Sequence, residues 1–241
     1  MLLLIENDRY LPYIEKTSNI HLKKKHYETE DGKLEFHESE KESIIFIVIG
    51  KQKDLKDYKK IPKAVYNFMK NHDISHLALL CKAGGINTLL RVGNAAIISD
   101  YIDMTKSYER YFLQDPPDNP QQCDMSSPFY PKWRQDCVKG LEKWGAEYGT
   151  NVFTNGALVC TQAPFFESRA EIEAYKTMKA DFVAHGVCPY VYYAKTLSIH
   201  YMVLVIVSNV YGSENVNFLN DDDNNLRIAK LADILIKTKT N

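Results

Sequence analysis

The chain has 241 residues, with 30 Lys plus Arg against 31 Asp plus Glu and a formal charge of −1. Its 45% apolar and 25% charged residues are those of a folded globular protein and argue against a disordered chain. The balanced charge argues against a dedicated nucleic-acid binder, and no stretch approaches the roughly 20 apolar residues of a membrane-spanning helix.

The opening run Met1 to Ile5 is apolar but turns charged at Glu6, too short for a signal-peptide core. Residues 1–43 are otherwise polar. Lys23 to Lys25 read as solvated surface, and Asp31-Gly32 as a hairpin turn between short strands. Ile44 to Ile49 is continuously apolar and β-branched and stops at Gly50, the pattern of a strand covered on both faces. A lysine-rich loop, Lys51 to Lys60, precedes a helix opened by Pro62 and carrying Ala64, Val65, Phe68 and Met69.

Leu77 to Leu80 reads as a strand closed by Ala83-Gly84-Gly85, and Ala95 to Asp100 as another. Residues 106–128 form the longest irregular stretch. Pro131 opens a helix with Trp133, Cys137, Leu141 and Trp144 on one stripe, ending near Gly149. Val152 to Thr161 reads as a strand. Ser168-Arg169-Ala170-Glu171 is a capping-box sequence that starts a helix through Met178. Asp181 to Ala184, a short helix, strand Tyr201 to Ser208 and an amphipathic helix Leu226 to Ile236 complete the chain. Strands alternating with helices from residue 44 onward predict a single α/β domain, 1–241, with a largely parallel or mixed central sheet and a divergent part at 1–43. The five cysteines, Cys81, Cys123, Cys137, Cys160 and Cys188, include no CxxC pair, and their number is odd. They read as buried free thiols with no metal site, in a cytoplasmic protein.

Three segments offer chemistry. Lys82-Ala83-Gly84-Gly85-Ile86-Asn87 follows a strand, and its glycines let backbone N–H groups approach a ligand, or simply make a tight turn. Phe165-Phe166-Glu167 precedes the helix cap at Ser168. Its carboxylate can accept from a ring N–H while Phe166 packs on a flat heterocycle, or it can simply favour the helix dipole. Ser208-Asn209 ends an apolar strand, where α/β sheets usually place ligands, and an amide offers both donor and acceptor to a purine edge.

Together, from about Ile44 to Gly212, these segments resemble the trimeric purine nucleoside phosphorylase and methylthioadenosine phosphorylase family. Ala83 to Asn87, with Val92-Gly93 and Ile97 to Met104, is similar to that family's AAGGLN…VGD…DHIN segment. Met125 to Pro131 is similar to the methylthioadenosine branch's MxxPFxP. Phe166-Glu167-Ser168 with Ala170-Glu171 resembles GPSFETxAE, Lys179-Ala180-Asp181 its GAD, and Ser208-Asn209 its site-closing T/S-N. The resemblance implies a nucleoside phosphorylase-like fold in which phosphate attacks the anomeric carbon and the free base leaves. Phosphate is the co-substrate, with no metal and no cofactor. It also implies that Glu167 binds ring N–H groups and Asn209 the 6-oxo edge as negative charge builds there. Phe166 would stack on the base, with Ala83 and Gly84 lining its other side. An amide at 209 favours 6-oxopurines, because a carboxylate cannot donate to an oxo group.

The departures lie at the phosphate end. Residues 1–43 hold no glycine-rich phosphate loop, and the family's GRxH reads Gly50-Lys51-Gln52-Lys53. The residue whose backbone N–H would meet phosphate is Lys82 in place of Ala. The family's G-M-S/T-x-V-P-E segment reads Ala184-His185-Gly186-Val187-Cys188-Pro189-Tyr190, which puts His185 at a ribose-contacting position. In one reading Lys51, Lys53 and Lys82 hold phosphate as point charges. In the other the phosphate site has decayed and the protein binds a purine-like ligand without turnover. Hydrolysis by water is a third reading, for which no motif places an acid to activate water. The resemblance also implies a homo-oligomer, by analogy a trimer, with a small-molecule purine nucleoside as ligand and neither nucleic acid nor membrane as partner.

Overall fold

The alternation of strands and helices extends back to the first residues of the chain. The structure, a computed structural model, describes residues 1–52, 54–55, 60–105, 124–163, 165–211 and 222–239. In chain order it contains β1 (Leu2–Ile5), a 3-10 turn (Asp8–Tyr10), α1 (Leu11–Ser18), β2 (Leu22–Thr29), β3 (Gly32–Ser39), β4 (Ile45–Val48), α2 (Lys60–Asn71) and β5 (His76–Gly85). These are followed by β6 (Ala95–Ile97), β7 (Asp100–Asp103), α3 (Pro131–Tyr148), β8 (Val152–Phe153), β9 (Ala157–Cys160), α4 (Arg169–Thr177), β10 (Phe182–Ala184), α5 (Tyr190–Thr196), β11 (His200–Val210) and α6 (Asp222–Thr238). All the strands join one mixed sheet. Its main path runs β2-β3-β4-β1-β5-β10-β9-β7, and β11 pairs with β5 and leads to β6 and β8.

The period of two along a strand sorts the central side chains to opposite faces. Leu2 and Leu4 of β1, Leu77 and Leu79 of β5, and Val203 and Val205 of β11 pack with α2 and α5. Leu3, Ile5, Ala78, Leu80, Met202 and Leu204 pack with α1, α3 and α6. The central strands are therefore covered on both sides, which is why they read as unbroken apolar runs. A third, smaller cluster lies under α4.

Local signals are obeyed where they are strong. Pro131 opens α3, and Gly149, with φ 60°, closes it. The Ser168 hydroxyl accepts from the Glu171 N–H while the Glu171 carboxylate accepts from the Ser168 N–H. The hairpin expected at Asp31-Gly32 joins β2 to β3. Thr29 pairs with Gly32, so the loop residues are Glu30 and Asp31, and Gly32 takes φ 135°.

Three sequence readings are corrected. The polar N-terminal part contains β1, which lies in the middle of the sheet, parallel to β4 and β5 with Leu2 opposite Ile45 and Leu77. The reading of Ala95 to Asp100 as one strand and of Val152 to Thr161 as another also fails, because each divides in two. β6 pairs with β11 and β8 with β6, whereas β9 pairs with β10 and β7 with β9. The two breaks coincide. The Ser99 and Asp100 N–H groups donate to the Gly156 carbonyl, and the Gly156 N–H donates to the Ser99 hydroxyl. Gly156 also has no room for a side chain, since a Cβ there would lie 2.5 Å from the Phe182 ring.

Asp181 ties the glycine segment after β5 to β9. Its carboxylate accepts from Asn87 Nδ2 at 2.8 Å and from the Ala157 N–H at 3.0 Å, and its carbonyl accepts from the Ile86 N–H at 2.8 Å. Asp181→Ala is expected to cost about 2 kcal/mol, since two donors lose a charged acceptor. Denaturant unfolding would read this as a lower midpoint with an unchanged slope.

Candidate active site

Strand ends bring distant residues together around Lys82–Gly84 of β5. Glu6 is the first residue after β1, which runs parallel to β5. β9 and β10 run parallel to each other and deliver Thr161 and His185, while β10 pairs antiparallel with β5 at Gly84 and Gly85. β11 runs parallel to β5 with a bulge between Val207 and Asn209. One extra residue in a strand turns two consecutive side chains to the same side, and Ser208 and Asn209 both face the resulting cavity.

That cavity measures about 320 Å³. Of the residues singled out from sequence, Lys82, Ala83, Gly84, Phe166, Glu167, His185 and Asn209 all line it. Lys51 lies apart, with its ammonium 2.7 Å from the Asp8 carboxylate at the surface. Lys53 falls outside the described residues. Glu6, Ala163, Val183, Ala184 and Ser208 complete the lining, and Glu6 is the member that sequence reasoning missed.

Glu167, Thr161 and His185 form a hydrogen-bonded row. The Thr161 hydroxyl donates to Glu167 Oε1 at 2.6 Å and lies 3.0 Å from His185 Nδ1. A hydroxyl has one proton, so with that proton on Glu167 the imidazole must donate through Nδ1–H. In the neutral ring this leaves Nε2 as an acceptor. Thr161 carried no motif signal in the sequence. The amide is oriented from the opposite wall, where the Ser208 hydroxyl donates to Asn209 Oδ1 at 2.9 Å and so leaves the Nδ2 donors for a ligand. Gly84 gives this amide room, because a Cβ at Gly84 would lie 3.4 Å from Asn209 Nδ2 and 3.0 Å from Val183 Cγ1.

At the far end, Glu6 Oε2 accepts the Lys82 backbone N–H at 3.1 Å. Burial raises the Glu6 carboxyl from its ordinary range to about 7, against the lowering effects of that N–H and of the Lys82 ammonium. Burial lowers the Lys82 ammonium, and Glu6 partly restores it. Gly50 lets the segment after β4 pass close to the Glu6 backbone, since a Cβ there would meet the Glu6 carbonyl oxygen at 2.3 Å. A second, smaller cavity of about 150 Å³ shares Ala163 and His185 with the first, takes in Thr161, and is otherwise walled mainly by apolar residues such as Ile49, Ile61 and Pro189.

A mixed α/β sheet thus brings a carboxylate, an amide and a ring to one cavity at its strand ends, the place where such sheets usually carry their ligand sites. The chain belongs to the phosphorylase superfamily, whose sequence model matches residues 9–238. It is 37% identical over 118 residues to a probable S-methyl-5′-thioinosine phosphorylase of Methanosarcina acetivorans, covering 49% of this chain and 42% of that protein. It is 30% identical over 132 residues to the 6-oxopurine nucleoside phosphorylase of Pyrococcus furiosus, covering 52% and 48% of the two chains. Each match thus spans less than half of the curated relative. The fold extends further. Methylthioadenosine phosphorylase from Schistosoma mansoni, solved with tubercidin, superposes with a TM-score of 0.76 at 16% identity over 98% of this chain and 90% of the other. A methylthioadenosine phosphorylase from an antarctic soil metagenomic library gives 0.75 at 18% identity over 98% and 84%.

Proposed function

We propose that the protein is a purine nucleoside phosphorylase-like pentosyltransferase that cleaves the N-glycosidic bond of a 6-oxopurine or 5′-methylthio nucleoside, with phosphate as co-substrate. The observation that carries this reading is the meeting of Glu167 and Asn209 on one cavity, from segments 42 residues apart (209 − 167). Glu167 accepts from ring N–H groups. The Asn209 Nδ2 donors, freed by Ser208, face the 6-oxo edge where negative charge develops as the base leaves. Phe166 supplies a stacking surface, Ala83 and Gly84 the opposite wall, and His185 Nε2 an acceptor for a ribose hydroxyl. Lys82 lines this cavity and is assigned to phosphate, whereas Lys51 is turned to Asp8. Phosphate would enter once Glu6 has turned aside or taken up a proton. Phosphate and nucleoside suffice, without metal or cofactor.

We place the protein in the cytoplasm as a homo-oligomer, by analogy a trimer. The high exposure of Phe165 and Phe166, 80% and 65%, supports an assembly in which a neighbouring copy covers them. No helix among the described residues is long and apolar enough to cross a membrane.

The test is hypoxanthine release from inosine and from 5′-methylthioinosine, with and without phosphate. Release that rises with phosphate and yields the sugar 1-phosphate is the expected result. A second reading, a ligand-binding homologue without turnover, is favoured by the pairing of Lys51 with Asp8 and by the Glu6 carboxylate on the Lys82 N–H. Hypoxanthine binding with no release under any condition would select it.

A further inference from the structure

One hydroxyl joins the carboxylate and the imidazole of the candidate site. The Thr161 backbone is fixed first. Its N–H donates to the Ala184 carbonyl at 3.0 Å, and the residue before it, Cys160, pairs with Ala184 across β9 and β10. A β-branched side chain is stiff at χ1. The hydroxyl of this buried threonine meets Glu167 Oε1 at 2.6 Å and His185 Nδ1 at 3.0 Å. An ionised Glu167 can only accept, so the one hydroxyl proton is committed to it, and the hydroxyl oxygen is the acceptor for the imidazole Nδ1–H. His185 itself is exposed and borders both cavities. In the neutral ring its Nε2 accepts and cannot donate. Such an atom pairs with a sugar hydroxyl and makes no bond with a bare C–H or an ether oxygen in the same place.

We infer that Thr161 is a positioning residue that fixes His185 as a hydrogen-bond acceptor, and that the site thereby selects ribonucleosides over nucleosides lacking a hydroxyl at the 2′ or 3′ carbon. The inference rests on the purine-site reading of Glu167 and Asn209 given above and deepens its assignment of His185 to the sugar. Thr161 is not part of the larger cavity's lining and acts through its two partners. The same hydroxyl steadies the Glu167 carboxylate, so the base end and the sugar end of the site share one anchor. A deoxy sugar covers Nε2 without giving it a donor, and an acceptor stripped of water and left unpaired costs more than a hydrogen bond gains. Without the Thr161 oxygen the Nδ1–H loses its acceptor. The ring can then turn, or carry its proton on Nε2, and the preference for a hydroxyl disappears.

The experiment reads affinity, so it does not depend on turnover. It uses the full chain and C-nucleoside analogues of inosine, whose carbon–carbon glycosidic bond does not break. Calorimetry compares the ribose form with its 2′-deoxy and 3′-deoxy forms, with hypoxanthine titrated in parallel. The ribose form is expected to bind at least about tenfold more tightly than one of the two deoxy forms. Thr161→Val keeps the branched shape and is expected to shrink that preference below about threefold, whereas Thr161→Ser keeps the hydroxyl and is expected to retain it. His185→Ala, at an exposed position, is expected to remove the preference while hypoxanthine affinity stays within about threefold. A threonine that served packing alone would give the opposite order, because valine preserves its shape better than serine does. A ribose preference absent from the unaltered protein, or one that Thr161→Val or His185→Ala leaves intact, overturns the inference, and hypoxanthine binding in the same titrations leaves the purine site standing. Failure of hypoxanthine to bind overturns both.

Discussion

Replacing Glu167 by Gln, or Asn209 by Ala, is expected to weaken hypoxanthine binding more than tenfold in each case and to reduce base release at least as much. The Glu167 carboxylate holds the Thr161 hydroxyl with Oε1 and keeps its remaining acceptor capacity for the ligand. Gln has nearly the same size, so packing is preserved and the effect isolates charge and hydrogen-bond polarity. An amide NH₂ turned toward a ring N–H sets donor against donor. Losing a hydrogen bond to a charged group costs about 1.5–3 kcal/mol, which is a factor of roughly 10 to 150 in affinity. Asn209→Ala removes the donors proposed for the oxo edge and leaves the Ser208 hydroxyl with the Ala83 carbonyl, at 3.4 Å, as its acceptor. In the proposed site the two residues address one ring, so their effects should not add. The double variant is expected to lose less than the product of the single losses. Calorimetric titration with hypoxanthine reads all three variants, and wild-type affinity in any single variant would remove that residue from the base site.

Gly50→Ala is expected to lower stability by about 3 kcal/mol, at the upper end of what over-packing costs. The new methyl group would meet a backbone oxygen, that of Glu6, at 2.3 Å, and no flexible side-chain end is available to yield. The segment after β4 must then separate from the segment after β1, which strains the bond from the Ile49 N–H to the Ile5 carbonyl. For a chain of this size the melting temperature should fall by roughly 6–12 °C. Thermal unfolding followed by circular dichroism checks this effect. An unchanged melting temperature would show that the two segments do not touch as described.

Features written in short, local patterns were legible in the amino-acid order. The capping box at Ser168, the limits of α3 at Pro131 and Gly149, the hairpin near Gly32 and the β-branched run of β4 each depend on neighbours a few residues apart. The chemistry-bearing segments around Gly84, Glu167 and Asn209 were also legible, because their residue types and order resemble a known family. What only the tertiary structure decided involves contacts between residues far apart in the chain. A run of four apolar residues, Leu2–Ile5, cannot reveal that it lies in the middle of a sheet, since its hydrogen-bonding partners begin some 40 and 75 residues later. The splitting of the strand segments at Ser99 and Gly156 follows from two kinks that meet in space. Thr161 and Glu6 were silent for the same reason. Each acquires its role from a group brought to it by strand pairing: His185 for Thr161, and the Lys82 N–H, 76 residues away, for Glu6. Order along the chain specified which chemical groups the protein possesses, whereas the register of β1, β5, β10 and β11 decided which of them share one cavity.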